Sequence, residues 1–215
     1  MELSTETARA VVIVAHPDDE TLWAGGVILA RPRWDWFVLS LCRGSDTDRA
    51  PRFRRALERL GADGVLADLD DGPEQTPLAA ETVQATIRRH LPRRIVDVIL
   101  THGPRGEYTR HRRHEETCRA AAQLWAAGAI DTRALWMFAF EDGGRGDLPR
   151  AAPDASRIER LPDRLWQAKY ELITSVYGFS PESWEARSTP RCEAFWCFDR
   201  PQDALEWIRQ NGVEE

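Results

Sequence analysis

The sequence predicts an α/β fold built on a mostly parallel, doubly wound sheet, and two observations support this. Short apolar runs, each typical of a strand covered on both faces, occupy residues 11–15, 37–42, 65–68, 95–100 and 135–140. Helical stretches alternate with them at residues 21–30, 52–60, 79–90 and 114–127. Regular alternation of strands and helices is typical of a parallel sheet with crossover connections.

The expected architecture is a Rossmann-like three-layer sandwich with strand order 3-2-1-4-5. After residue 140 the pattern changes to a loop rich in Gly, Pro and Asp at 141–155, a helix at 163–177, a short strand at 193–198 and a last helix at 202–210. We therefore expect one domain over residues 1–215. Its core is residues 1–140, and residues 141–215 add a substrate-side loop and a short C-terminal α/β elaboration.

Composition excludes some classes of function. The net charge of −6 and the pI of about 5.5 do not provide the basic field that nucleic acid binding requires. The apolar runs are shorter than the roughly 20 residues of a membrane span, and the polar N-terminus does not resemble a secretory signal. We expect a cytoplasmic protein with no membrane span and no nucleic acid partner.

The first chemical signal directly follows the first predicted strand, where His16 and Pro17 precede Asp18, Asp19 and Glu20. Capping the next helix needs one acidic residue, so three acids after His-Pro indicate more than a cap. His16 and Asp19 are three residues apart, a spacing that lets both side chains face the same way around one turn. Asp18 points elsewhere and can stay unligated beside a metal ion.

The second signal follows the fourth predicted strand, where His111 and His114 are three residues apart near the start of a helix. An HxxH pair alone is weak evidence. In a 3-2-1-4-5 sheet, however, strands 1 and 4 are neighbours, and the crevice after them is where ligands bind. Two histidines and a carboxylate with an open position are typical of catalytic zinc and also of non-haem iron(II), so ligand types leave the metal open.

The string Ala-His-Pro-Asp-Asp-Glu at residues 15–20, paired with the downstream HxxH, resembles the LmbE-like or PIG-L family of zinc-dependent N-deacetylases. That family acts largely on N-acetylglucosaminyl compounds. The resemblance implies one divalent metal ion, zinc or alternatively Fe²⁺, bound by His16, Asp19 and His114. It further implies that Asp18 is the general base and that His111 stabilises the oxyanion.

The resemblance also implies two substrate contacts, Arg49 and Tyr108. Arg49 lies eleven residues before Leu60 of a Leu-Gly pair, although a solvated arginine at a helix start is equally consistent with that position. Tyr108 stands three residues before His111, where the family usually has two, and Arg52 replaces an acid. These departures concern substrate contacts more than metal ligands, so the substrate is less certain than the reaction type.

Other residues are assigned from their position in the sequence alone. Glu20 is expected to support the metal ligands or the helix start, and His102 is expected to be a packed core histidine. Trp184 is the best candidate for a sugar-stacking platform, and Asp142 and Arg145 are candidate sugar contacts.

The sequence thus predicts a metal-dependent hydrolase that removes an acetyl group from an N-acetylated amino sugar through metal-activated water. An alternative is a metal amidase for another amide, such as a thiol-conjugate or an acylated antibiotic sugar. A non-catalytic metal- or nucleotide-binding module fits less well, because the acidic string stands where a GxGxxG loop would lie. The expected partner is a small sugar or sugar conjugate, and the oligomeric state is left open, a homo-oligomer included.

Overall fold

The computed structural model describes residues 7–92, 95–108, 110–142 and 148–212. Its strands are β1 Arg9–Val14, β2 Asp35–Cys42, β3 Asp63–Leu69, β4 Val98–Thr101, β5 Leu135–Phe138, β6 Phe140–Glu141, β7 Arg150–Ala151, β8 Arg157–Arg160 and β9 Cys192–Phe198. Its α-helices are α1 Asp19–Ala30, α2 Arg49–Leu60, α3 Ala80–His90, α4 Arg112–Ala126, α5 Asp163–Glu171, α6 Trp184–Ser188 and α7 Pro201–Asn211. A π-helical turn, Leu172–Val176, follows α5. Within these ranges, no helix has the length and apolar character needed to cross a bilayer.

The main sheet has the order β3-β2-β1-β4-β5-β9-β8, which confirms the predicted α/β fold and the 3-2-1-4-5 order of its parallel part. β9 pairs antiparallel with β5, and β8 pairs antiparallel with β9 at the edge of the sheet. β8 was not predicted, because its residues are charged or exposed, as suits an edge strand, and do not form a buried apolar run. The short β6–β7 pair was not predicted either: β6 begins at the last residue of the predicted strand 135–140, and β7 lies in the predicted loop.

Alternating side chains of the central strand face two separate cores. Val12 and Val14 of β1 pack in the core that contains side chains of α1 and α2, whereas Val11 and Ile13 pack in the core that contains side chains of α3 and α4. Both faces of the sheet are therefore buried, which is the physical reason for the continuous apolar run in β1.

Among the predicted boundaries that differ from the structure, three concern α4, β4 and the helix that begins at residue 163. Helix α4 begins at Arg112 rather than at residue 114, with His111 in the capping position. β4 begins at Val98 rather than at residue 95, because Ile95 is 52% exposed and lies outside the sheet. The helix predicted at 163–177 is α-helical only as far as Glu171 and then continues as the π-helical turn.

A buried ion pair joins the C-terminal elements to α1. Lys169, the only lysine in the chain, donates from Nζ to Glu193 Oε1 at 2.6 Å, and neither side chain is exposed. The Glu193 carboxylate also accepts the backbone N–H groups of Gly26 and Val27 at 2.7 and 2.6 Å. The pair therefore fixes β9 and α5 against the helix that carries the acidic string.

Replacing Lys169 with Met should lower the free energy of unfolding by about 3–5 kcal/mol, because it leaves the Glu193 carboxylate buried without its cation. Arg209→Met is the matched control. It breaks an exposed pair with Glu206 and should cost at most about 1 kcal/mol. Urea unfolding of both variants checks this, and equal losses would contradict a stabilising role for the buried pair.

Candidate active site

The predicted site residues meet at the carboxyl ends of β1 and β4. His16 lies two residues beyond β1, and Asp18 and Asp19 form the start of α1. His111 and His114 come from the first turn of α4. These side chains line one cleft of about 210 Å³. The two sequence signals therefore converge at the switch point of the sheet.

Three ligand atoms form a nearly equilateral triangle in this cleft. His16 Nδ1 lies 3.2 Å from Asp19 Oδ2 and 3.2 Å from His114 Nε2. His114 Nε2 lies 3.4 Å from Asp19 Oδ2. Bonds of about 2.0–2.1 Å in tetrahedral geometry place the ligand atoms of a zinc ion about 3.3 Å apart. The triangle therefore has the dimensions of three of the four corners of such a site.

The second nitrogen of each imidazole in the triangle is held by a carboxylate. His16 Nε2 lies 3.2 Å from Asp71 Oδ1, and His114 Nδ1 lies 2.6 Å from Glu107 Oε2. Arg43 in turn donates to Asp71 Oδ2 at 2.8 Å. Histidines that bind metals almost always donate their other ring N–H to such a group, which fixes the tautomer.

Three other groupings of possible ligands fit less well. His111 could replace Asp19 beside His16 and His114, but its Nδ1 is buried without a hydrogen-bond partner. His111 therefore lacks the carboxylate partner that each imidazole of the triangle has on its outer nitrogen. Burial and the nearby His114 and His16 lower the pKa of His111 to about 3, so this ring is neutral at neutral pH.

The remaining groupings include His102 or Cys42. His102 Nε2 accepts the backbone N–H of Ala15 at 2.9 Å, so the lone pair that a metal would need is already used. Burial raises the pKa of Cys42 to about 12, which keeps it a thiol rather than a thiolate ligand. The triangle of His16, Asp19 and His114 is therefore the arrangement best suited to hold an ion.

Glu107 connects the two buried histidines. Its Oε1 accepts from His102 Nδ1 at 3.1 Å and from the backbone N–H of Gly103 at 2.9 Å, while its Oε2 faces His114 Nδ1. Burial alone would raise its pKa, but the two imidazoles outweigh burial and lower the pKa to about 2. Sequence reasoning missed Glu107, although it lies in the loop between the fourth strand and the HxxH pair.

His102 is fully buried and its ring stacks on His114 at 3.8 Å, so it is a packed core histidine that also supports a ring of the triangle. Asp71 was also missed by sequence reasoning. It follows β3, whose carboxyl end lies at the same edge of the sheet, and that position is the signal that could have found it.

Asp18 takes no part in the triangle. Its Oδ2 accepts from Arg49 Nη1 at 2.9 Å, so Arg49 contacts the proposed base directly. Burial raises the pKa of the Asp18 carboxyl well above its usual range, neighbouring Asp19 raises it further, and Arg49 opposes the rise. The pKa of Asp19 moves the other way, because His114 and His102 outweigh the effect of burial and hold it well below its usual range.

An aromatic wall lines the cleft. The ring centroids of Tyr108 and Trp184 are 3.9 Å apart, and both residues border the cleft. Asp142 instead lines a neighbouring cavity of about 480 Å³ that also touches Tyr108, so it does not line the cleft that contains the triangle. Arg145, the other candidate sugar contact, lies outside the described residues.

The fold and the cleft define a doubly wound α/β protein with a histidine- and carboxylate-lined site at its switch point. Within that class the chain belongs to the PIG-L family. The family model, described as GlcNAc-PI de-N-acetylase, matches residues 11–125, more than half of the 215 residues. The predicted family is therefore confirmed, and the family is one of de-N-acetylases that act on N-acetylated sugars.

Solved structures share the fold at low identity. The N,N'-diacetylchitobiose deacetylase of Pyrococcus horikoshii superposes with a TM-score of 0.67 at 14% identity, over 93% of this chain and 85% of that one. A deacetylase from teicoplanin biosynthesis gives 0.59 at 13% identity, over 88% and 97%. GalB of Pseudomonas putida, a 4-carboxy-2-hydroxymuconate hydratase, gives 0.62 at 17% identity, over 90% and 97%. No curated protein matches the sequence.

The presence of a hydratase on this fold means that the fold alone does not identify a reaction. The reaction depends instead on the side chains that line the cleft.

Replacing Glu107 with Gln should weaken zinc binding about 10- to 100-fold. A side-chain amide has one oxygen, so it can accept from only one of the two imidazoles, and its NH₂ group would face the other ring N–H. Glu116→Gln, on α4 but paired with Arg113, is the control and should bind zinc as the wild type does. Competition with a chromogenic chelator measures both affinities, and an unchanged value for Glu107→Gln would rule out the positioning role.

Proposed function

We propose that this chain is a metal-dependent N-deacetylase that releases acetate from an N-acetylated amino sugar or a conjugate of one. The observation that carries the proposal is the ligand triangle beside an unligated, partly buried carboxylate, that of Asp18. His16, Asp19 and His114 would hold one divalent ion, with zinc the first choice and Fe²⁺ compatible with the same ligands. When bound, such an ion polarises the amide carbonyl and lowers the pKa of a bound water.

Asp18 would act as general base. Its raised pKa brings the carboxyl closer to neutral pH, where a carboxylate can both take a proton from water and return it to the leaving amine. Arg49 donates its hydrogen bond to Oδ2, which leaves Oδ1 to accept from the water. Arg49 therefore orients the base, and it also lines the cleft in which the substrate would bind.

His111 would donate a hydrogen bond to the tetrahedral oxyanion. Its low pKa makes the ring neutral at neutral pH, and with Nδ1 buried and unpartnered the proton is assigned to Nε2. A neutral donor held against His16 and His114 can stabilise charge that develops only in the transition state.

The aromatic wall supports a sugar as substrate, because the face of a sugar ring packs well against flat apolar rings. Tyr108 and Trp184 supply that wall, and Arg49 supplies a polar group at the same cleft. Two structural neighbours are deacetylases, one named for N,N'-diacetylchitobiose and one from the biosynthesis pathway of teicoplanin, which favours an N-acetylated sugar over other amides.

Acetate release from a panel of N-acetylglucosaminides, by metal-stripped protein with and without added zinc or Fe²⁺, tests the proposal. The expected result is metal-dependent release from at least one glycoside. Metal binding without release from any member of the panel would overturn the sugar deacetylase proposal. In that case other acylated amines and the hydration of unsaturated carboxylates would be assayed next.

Replacing Asp18 with Asn should leave zinc content unchanged and lower kcat by about 10²–10⁴-fold, because the amide cannot take a proton from water. His114→Ala is the contrasting variant and should lose the zinc itself. Metal analysis and steady-state kinetics on the same preparations separate the two roles. Normal turnover by Asp18→Asn would show that another group is the base.

A further inference from the structure

The backbone of Asp18 is in a conformation that L-residues rarely adopt. Its φ is 125° and its ψ is −29°. Such a conformation is energetically unfavourable and persists only where the surrounding structure holds it. The backbone torsions at Asp18 help set where its carboxylate points, so the groups that hold them also influence the direction of the proposed base.

The carboxylate of Glu20 holds this backbone. Its Oε2 accepts the N–H of Asp18 at 3.0 Å, and the residue is fully buried. Its Oε1 accepts the hydroxyl protons of Thr21 and Tyr177, each at 2.6 Å. Both oxygens are therefore bonded, so the carboxylate is a fixed acceptor for the Asp18 N–H.

Tyr177 comes from the C-terminal part of the chain, beyond the region that the family model matches. It directly follows the π-helical turn and is 1% exposed. Its backbone carbonyl accepts from Arg52 of α2, and its N–H donates to the carbonyl of Leu172 at 2.9 Å. The hydroxyl therefore reaches Glu20 from an anchored position.

We propose that Glu20 and Tyr177 are positioning residues that hold the Asp18 backbone in its strained conformation and thereby aim the Asp18 carboxylate. The inference rests on the proposed function, in which Asp18 is the base. It extends that function to a residue outside the matched region. The C-terminal elements then complete the catalytic geometry in addition to lining the cleft.

Tyr177→Phe removes one of the two hydroxyls that donate to Glu20 Oε1 and leaves the Thr21 hydroxyl in place. The variant should lower kcat about tenfold, with KM and zinc content unchanged, because the base is misdirected while the metal ligands stay in place. Tyr170→Phe is the matched control, since Tyr170 stacks on Trp166 away from the cleft, and it should leave kcat unchanged.

Two substitutions of Glu20 separate its role as an acceptor from its charge. Glu20→Gln keeps an oxygen for the Asp18 N–H, and its NH₂ group can donate to the hydroxyl oxygen of Tyr177. Glu20→Ala removes the acceptor. Glu20→Gln should therefore retain most of the kcat that Glu20→Ala loses.

Amide hydrogen exchange at Asp18 gives a readout that does not depend on activity. Exchange should be faster in Tyr177→Phe than in the wild type or in Tyr170→Phe. Unchanged exchange and unchanged kcat in Tyr177→Phe would overturn the inference. So would a lower zinc content, a higher KM and a lower thermal stability together, because these changes would indicate a general structural role. If the wild type releases no acetate but the exchange result holds, the proposed function fails and the positioning of Asp18 stands.

Discussion

The site depends on two carboxylates that fix the orientation of the two imidazoles of the triangle. Each carboxylate contacts the ring nitrogen that faces away from Asp19. His16 faces Asp71 through Nε2, and His114 faces Glu107 through Nδ1. His16 Nδ1 and His114 Nε2 are thereby turned toward Asp19, and the three ligand atoms lie 3.2–3.4 Å apart. Without these partners the rings could rotate or change tautomer, and the triangle would lose its dimensions.

The doubly wound sheet makes this arrangement possible. β1 and β4 are neighbours, so the loops that follow them meet at one edge, and β3 ends at the same edge and contributes Asp71. The antiparallel strand β9 adds a further link, because Glu193 on β9 binds the backbone of α1 and the buried Lys169. The C-terminal elements thus stabilise the helix on which the acidic string begins.

Sequence patterns predicted the strand order and predicted that His16, Asp19 and His114 share one site. Both predictions were possible because hydrophobic periodicity and a specific motif are visible in short stretches of chain. They did not predict Glu107 or Tyr177 as partners of the site. Those contacts join residues far apart in sequence or depend on the path of a loop, and a single acid or tyrosine carries no periodic signal. β8 was missed for the related reason that an edge strand does not need an apolar face.

A crystal structure of the zinc-loaded protein, supported by X-ray absorption spectroscopy, would identify the ligands of the ion. We predict one ion bound by His16 through Nδ1, by Asp19 Oδ2 and by His114 through Nε2, with Asp71 and Glu107 on the opposite ring nitrogens. An ion bound by His111 in place of Asp19, or by Cys42 and Asp71 beside His16, would contradict it.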